Sequence, residues 1–416
     1  MSSPALARRL GLGDAVALGL GSMVGAGVFA VWAPAAEAAG GALLFGLAVA
    51  ALVALCNATA SAQLAAAHPV AGGTYAYGRA ELGPWWGFVA GWGFIVGKTA
   101  SCAAMALTFA AYAAPAGWER PVAIVAVLAL TTTNLLGVTR TALLTRIIVV
   151  VALAGLAVAV AAGFAAPRAD AAPGAVTVDV YGVLQSAGLL FFAFAGYARI
   201  ATMGEEVRDP RRTIPRAIAL TFVIAVSVYA IVGASVLWAL GPAGAAAAPQ
   251  PVAAAAAAAG WAGTDAIVRV AASAASLGAL LALVAGIGRT SFAMARGGDL
   301  PAGLAAVHPR TQVPHRAELA VAVVVIALIV TVDLRGAIGF SSFGVLVYYL
   351  VANVAAWRQS AEARRYPRVL QAVGMAGCTI LAVTLPWQSV VAGIAVVAIG
   401  VAYRSVRTRR AECGPR

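Results

Sequence analysis

Apolar residues fill this chain in windows of about 20, the length at which an α-helix crosses the hydrocarbon layer of a bilayer. About twelve windows stand out, separated by short polar loops: Asp14–Glu37, Gly41–Ala67, Trp85–Ala114, Pro121–Leu136, Leu143–Ala166, Tyr181–Met203, Ile214–Leu240, Ala266–Phe292, Ala317–Val332, Ala337–Trp357, Leu370–Leu385 and Val390–Tyr403. The pattern predicts an all-α polytopic membrane protein of about 12 transmembrane helices. Two windows are interrupted by glycine at mid-span. The first contains Gly21-Ser22-Met23-Val24-Gly25-Ala26-Gly27, the sixth Phe191-Phe192-Ala193-Phe194-Ala195-Gly196-Tyr197. Hydrocarbon offers no water to an unwound backbone, so such breaks survive only inside protein or beside a cavity. Paired breaks in corresponding windows of two halves point to a transporter's substrate site.

Composition agrees with the pattern: 62% of residues are hydrophobic and 10% charged, against about 25% charged in soluble proteins. A net charge of +13 would suit nucleic acid, but the placement of the arginines speaks for a bilayer instead. With the N-terminus in the cytoplasm, twelve spans leave only Arg120, Arg168, Arg269 and Arg335 outside, and Arg199 inside a span. This asymmetry follows the positive-inside rule and puts both termini in the cytoplasm. No nucleic-acid partner is expected. Met1–Leu12 lacks the features of a removable signal peptide, so the first span is expected to be retained. Cys56, Cys102 and Cys378 lie in apolar spans, and His68, His308 and His315 lie in loops. Neither set has metal-ligand spacing, so no metal and no cofactor is expected.

If the two breaks correspond, windows 1–5 (residues 1–166) and 6–10 (residues 181–358) form two halves. An odd number of spans per half inverts the second relative to the first, which is the 5+5 inverted repeat. Residues 366–405 then add two C-terminal helices to a single transport domain spanning 1–416. Pro215 is expected in the first turn of the seventh helix. The uncharged alanine, proline and glycine tract from Gly241 to Gly263 reads as an outside linker without a role.

Four motifs in order make the chain resemble the amino acid–polyamine–organocation permeases. They are Gly21-Ser22-Met23-Val24-Gly25-Ala26-Gly27-Val28-Phe29; Pro69-x-x-Gly72-Gly73-x-Tyr75-x-Tyr77 with Leu82-Gly83; Asn134-x-x-Gly137-Val138; and Phe191 to Tyr197 followed by Glu205-Glu206-Val207-Arg208-Asp209-Pro210 and Ile214-Pro215-Arg216. The resemblance implies discontinuous helices 1 and 6, with the substrate carboxylate held on backbone groups from Ser22 through Met23, Val24, Gly25 and Ala26 to Gly27, and the Ser22 hydroxyl as an extra donor. Helix-end N–H groups attract anions. It also implies that the freed carbonyls of Phe192, Ala193, Phe194 and Ala195, next to Gly196, accept from the substrate ammonium. Phe192 and Phe194 are candidates for an aromatic gate. The implied setting is a bacterial cytoplasmic membrane, with protons or sodium as coupling ion.

The chain departs from the family in two places. Many relatives carry a lysine in span 5, where this chain has Ala152; its one lysine is Lys98, deep in span 3, while every other basic side chain is arginine. An intramembrane charge is a functional-site hypothesis by default, and lysine, unlike arginine, can release its proton when desolvated. Lys98 is therefore the ion-coupling candidate, expected beside the inner half of span 1. The second departure is Gly196-Tyr197-Ala198-Arg199, where several relatives have an acid; Arg199 is expected to pair with Glu205 or Glu206. Ser273 and Ser276 are candidate sodium ligands. The function expected is secondary transport of an amino acid or related amine by alternating access. A membrane channel or a membrane-embedded enzyme is the alternative, but neither a charged pore ring nor a catalytic constellation is present in the spans.

Overall fold

The computed structural model describes residues 10–68, 72–136, 141–169, 179–197, 200 and 207–412, the side chains of 141–144, 197 and 409–412 excepted. Among them no strand forms; one parallel bridge joins Leu10 to Val207. In chain order the helices are α1 (Leu12–Met23), α2 (Gly27–Ala30), α3 (Trp32–Ala39), α4 (Leu43–Ala67), α5 (Thr74–Leu82), α6 (Pro84–Ala113), α7 (Glu119–Leu135), α8 (Thr141–Ala165), α9 (Val180–Phe194), α10 (Pro210–Ala247), α11 (Pro251–Ala257), α12 (Thr264–Arg296), α13 (His315–Thr331), α14 (Leu334–Arg358), α15 (Arg368–Thr384) and α16 (Trp387–Glu412). Among the described residues, eight helical stretches are long and apolar enough to cross a membrane, and α9 and α15 are shorter apolar helices. The chain is a multi-pass membrane protein.

Helix starts follow local chemistry. Asp179 caps α9 by accepting from Tyr181 N at 3.1 Å and Gly182 N at 2.9 Å, and Asp333 caps α14 through Gly336 N at 2.8 Å. Pro84 and Pro210 occupy first-turn positions, where a missing N–H costs nothing. The start of α10 at Pro210 corrects the expectation for Pro215, which lies inside that helix. The tract Gly241–Gly263 also differs from the expected linker. It kinks at Gly241, then folds into α11, whose Pro251, Val252, Ala253, Ala255 and Ala256 are buried against α8, α10 and α12. Alanine is the strongest helix former, so a tract rich in it needs only a surface to fold on.

The centre of the bundle is α6, which packs most extensively on α14 and α12. It approaches α14 backbone to backbone: a Cβ on Gly344 would lie 2.7 Å from Gly97 Cα. That contact fixes the register of the residue after Gly97, which is Lys98.

A second anchor ties together segments far apart in sequence. Asp299, 5% exposed, follows α12 and accepts from Tyr75 Oη at 2.9 Å and Arg79 Nη1 at 2.8 Å, both from α5. Its other carboxylate oxygen meets Arg404 of α16, which is 7% exposed. The Arg404 guanidinium also lies over the rings of Trp85, at 5.0 Å, and Phe88, at 4.9 Å. Burial, and then Asp299, push the Tyr75 phenol up to about 12, so it stays a donor.

Candidate functional site

The first apolar window is a broken helix. Helix α1 ends at Met23, Val24 N still reaches back to Leu20 O at 2.6 Å, and regular structure resumes only at Gly27. Among the described residues the amides of Gly25 and Ala26 find no backbone acceptor. The sixth window breaks similarly, with α9 ending at Phe194 and a single 3₁₀ turn running from Ala195 to Tyr197. Both breaks are buried: Met23, Val24, Gly25, Ala26, Gly27, Phe192, Ala193, Phe194 and Ala195 are enclosed, while Ser22 and Gly196 are half-buried.

The two breaks touch. A Cβ on Gly27 would lie 2.7 Å from Ala193 Cα, and one on Gly196 would collide with Ser22 O. Glycine is therefore required at both positions by the approach of one backbone to another.

One hydroxyl joins the breaks. Tyr229, on α10, places its Oη 2.6 Å from Met23 O and 2.8 Å from Ala193 O. A phenol has one proton, so the two carbonyls share it. Lys98, 6% exposed, donates from Nζ to Ala195 O at 3.0 Å, and Tyr349 Oη of α14 approaches the same oxygen at 3.5 Å.

Several expectations change with this geometry. Lys98 meets the carbonyl of the second break rather than the inner half of span 1. The carbonyls of Ala193 and Ala195 are already engaged by Tyr229 and Lys98, so they are not vacant acceptors in this conformation. The Ser22 hydroxyl donates to Leu18 O at 3.0 Å, inside its own helix, so its proton is committed. Phe194 packs against Tyr229 and Phe222, with ring centroids 5.0 and 6.1 Å apart, which places it in the α10 interface and not across an opening. Ser276 Oγ is buried without a hydrogen-bond partner among the described residues. Arg199, Glu205 and Glu206, together with Pro69 and Gly137-Val138, lie outside the described residues.

Sequence reading missed Tyr229 and Tyr349. Each is one of several aromatics in its window, and only the fold brings them to the breaks. Beside Ser22 lies a cavity of about 100 Å³, lined by Leu18, Gly21, Ser22, Asn134, Thr145 and Arg289 among others. It runs between α1, α7, α8 and α12, with Asn134 Nδ2 donating to Leu281 O at 3.2 Å on its wall.

Comparison with known proteins adds the family. Residues 14–412 match the family described as amino acid permease. An uncharacterized transporter of Mycobacterium tuberculosis is 56% identical over 414 residues, covering 98% of this chain and 93% of that one. The branched-chain amino acid permease BcaP of Bacillus subtilis is 26% identical over 438 residues, covering 97% and 94%. Cationic amino acid transporter 7, chloroplastic, of Arabidopsis thaliana is 29% identical over 390 residues, covering 86% and 67%. A match along almost the whole chain, to relatives that are themselves transporters, leads to one conclusion: this membrane protein belongs to the amino acid permease family.

Proposed function

We propose that the chain is a secondary active transporter that carries an amino acid across a bacterial cytoplasmic membrane by alternating access, driven by protons. The observation that carries this reading is the meeting of two broken helices at their breaks, with unpaired amides on one and engaged carbonyls on the other. Backbone polarity at that depth is costly unless something polar uses it. A zwitterion does: its carboxylate suits the amides of Gly25, Ala26 and Gly27, and its ammonium suits the carbonyls from Phe192 to Ala195 next to Gly196. The Lys98 ammonium, already seated on Ala195 O, indicates the kind of cation this oxygen accepts.

In this proposal residues 1–166 and 181–358 are inverted five-helix repeats, residues 366–405 add two helices, and both termini face the cytoplasm. The repeats rock about the contact between Gly27 and Ala193. When they separate, the Tyr229 proton stays with one carbonyl, and the other becomes available to the substrate.

The test is uptake into proteoliposomes of radiolabelled L-amino acids, leucine and arginine first, under imposed proton or sodium gradients. Accumulation of one of them under a proton gradient is expected. Decarboxylated or amine-blocked analogues of that amino acid should compete roughly 5- to 150-fold less well, because each leaves buried polar groups unmatched at about 1–3 kcal/mol. Equal competition by the parent amine would remove the carboxylate pocket, and no accumulation under either gradient would remove the transporter reading.

A further inference from the structure

Glu318 lies in the first turn of α13 and is 2% exposed. Its Oε2 is buried without a hydrogen-bond partner, and among the described residues no cation pairs with it at ion-pair distance. It packs on Gly288 of α12, where a Cβ would lie 2.7 Å from Glu318 Cγ. The next residue on α12 is Arg289, which lines the cavity beside Ser22 and is near enough to act electrostatically on the Glu318 carboxyl. An acid thus packs on α12 one residue away from the arginine that borders the cavity.

We propose, building on the transporter reading, that Glu318 is the proton-binding residue of the cycle and acts through Arg289 on the substrate carboxylate while the substrate occupies that cavity, on its way to or from the amides of the span 1 break. Arg289 then has two competing anions. When Glu318 is ionised, its charge compensates the guanidinium from behind and the substrate carboxylate is held weakly. When a proton from water binds Oε2, the oxygen with no partner, the full charge of Arg289 faces the cavity. Proton and substrate therefore favour each other's binding. By linkage the effect is reciprocal, and couplings of this kind are typically about 5–150-fold. Release of the proton weakens the hold on the substrate, which is the order a symporter needs.

The other charged groups around Glu318 do not take this role. From α7 come Glu119 and Arg120, near the helix start, some 15 residues or about 22 Å along the helix from Asn134 at the cavity. From α6 comes Lys98, engaged with Ala195 O. From α12 come Asp265 and Arg269, paired with each other at the opposite end of that helix, and Arg296, beside the ring of Phe292. The 3₁₀ turn Ala302–Ala305 carries no titratable side chain. On α13 itself, His315 packs against His308 with ring centroids 5.6 Å apart, and Arg316 extends toward Gly303.

The experiment uses the full chain in proteoliposomes, with whichever radiolabelled L-amino acid the wild type accumulates. Wild-type apparent affinity should rise as pH falls. Glu318→Gln, which imitates the protonated acid, should bind with a flat pH profile. It should accumulate substrate at least about tenfold less under a proton gradient and retain counterflow exchange, which needs no driving ion. Glu318→Asp should keep a pH-dependent affinity. Arg289→Gln should weaken binding of the amino acid much more than binding of its parent amine. A wild-type pH profile and full accumulation in Glu318→Gln would overturn the proposal, as would loss of exchange together with accumulation in a Glu318→Gln protein that is correctly inserted. Either result, obtained beside a wild type that accumulates substrate, leaves the transporter reading intact. Absence of accumulation by the wild type itself would instead count against that reading.

Discussion

Replacing Gly27 with alanine tests the meeting of the two breaks with a single methyl group. Its Cβ would lie 2.7 Å from Ala193 Cα and 2.9 Å from Ala193 Cβ, whereas carbon atoms rest at about 3.5–4.0 Å. The breaks must therefore part by about 1 Å. Tyr229 cannot follow both: its hydroxyl bonds at 2.6 and 2.8 Å would lengthen on one side beyond hydrogen-bond range. Overpacking costs about 1–3 kcal/mol, and the lost bond adds about 0.5–1.5 kcal/mol. The packed conformation should thus lose about 1.5–4.5 kcal/mol, a roughly ten- to two-thousandfold fall in its population. Initial uptake rates, measured at equal reconstituted protein, should fall, because each transport cycle has to return through the packed conformation. Gly13→Ala is the matched control, because a Cβ there meets nothing within 4 Å. Unchanged uptake in a properly inserted Gly27→Ala protein would refute the reasoning.

Lys98→Met keeps the length of the side chain and removes its charge-assisted bond to Ala195 O. Such bonds contribute about 1.5–3 kcal/mol, so uptake should fall roughly 10- to 150-fold, and Lys98→Arg should not restore it, since a planar guanidinium does not replace a compact ammonium. Near-normal uptake by either variant would assign Lys98 to packing alone. Arg404→Leu removes one partner of the buried Asp299 and should destabilise the protein by about 3–5 kcal/mol, visible as a lower melting temperature in detergent. Arg79→Leu, whose side chain is 35% exposed, should lower it less; the opposite order would mean that Arg404 is not the principal partner.

Glycine was the legible part of this site. A residue without a side chain inside a long apolar window signals a close approach or a break, and Gly25, Gly27 and Gly196 could be read that way without coordinates. Lys98 was legible because it is the only lysine in an arginine-rich chain, but its partner was not. Which carbonyl an ammonium meets depends on the register of α6 against α14, set by Gly97 and Gly344, some 250 residues apart. Tyr229 and Glu318 were hidden for a different reason. Each belongs to a residue type common at its position, an aromatic inside an apolar window and an acid in a first helical turn. Their neighbours across the bundle are what make them unusual. The Gly241–Gly263 tract misled through its lack of charge, though Pro251 followed by a run of alanines already carried a helix-start signal.

The aspartate that joins α5, the end of α12 and α16 also sets an order of events during synthesis. Asp299 emerges from the ribosome some 105 residues before Arg404, an interval of roughly 5–20 s at ordinary elongation rates. For that time its carboxylate has Arg79 and Tyr75 alone, while the Trp85 and Phe88 rings wait without their cation. The last long helix completes this end of the bundle when it arrives. Nascent chains lacking it would carry an acid with half its charge partners.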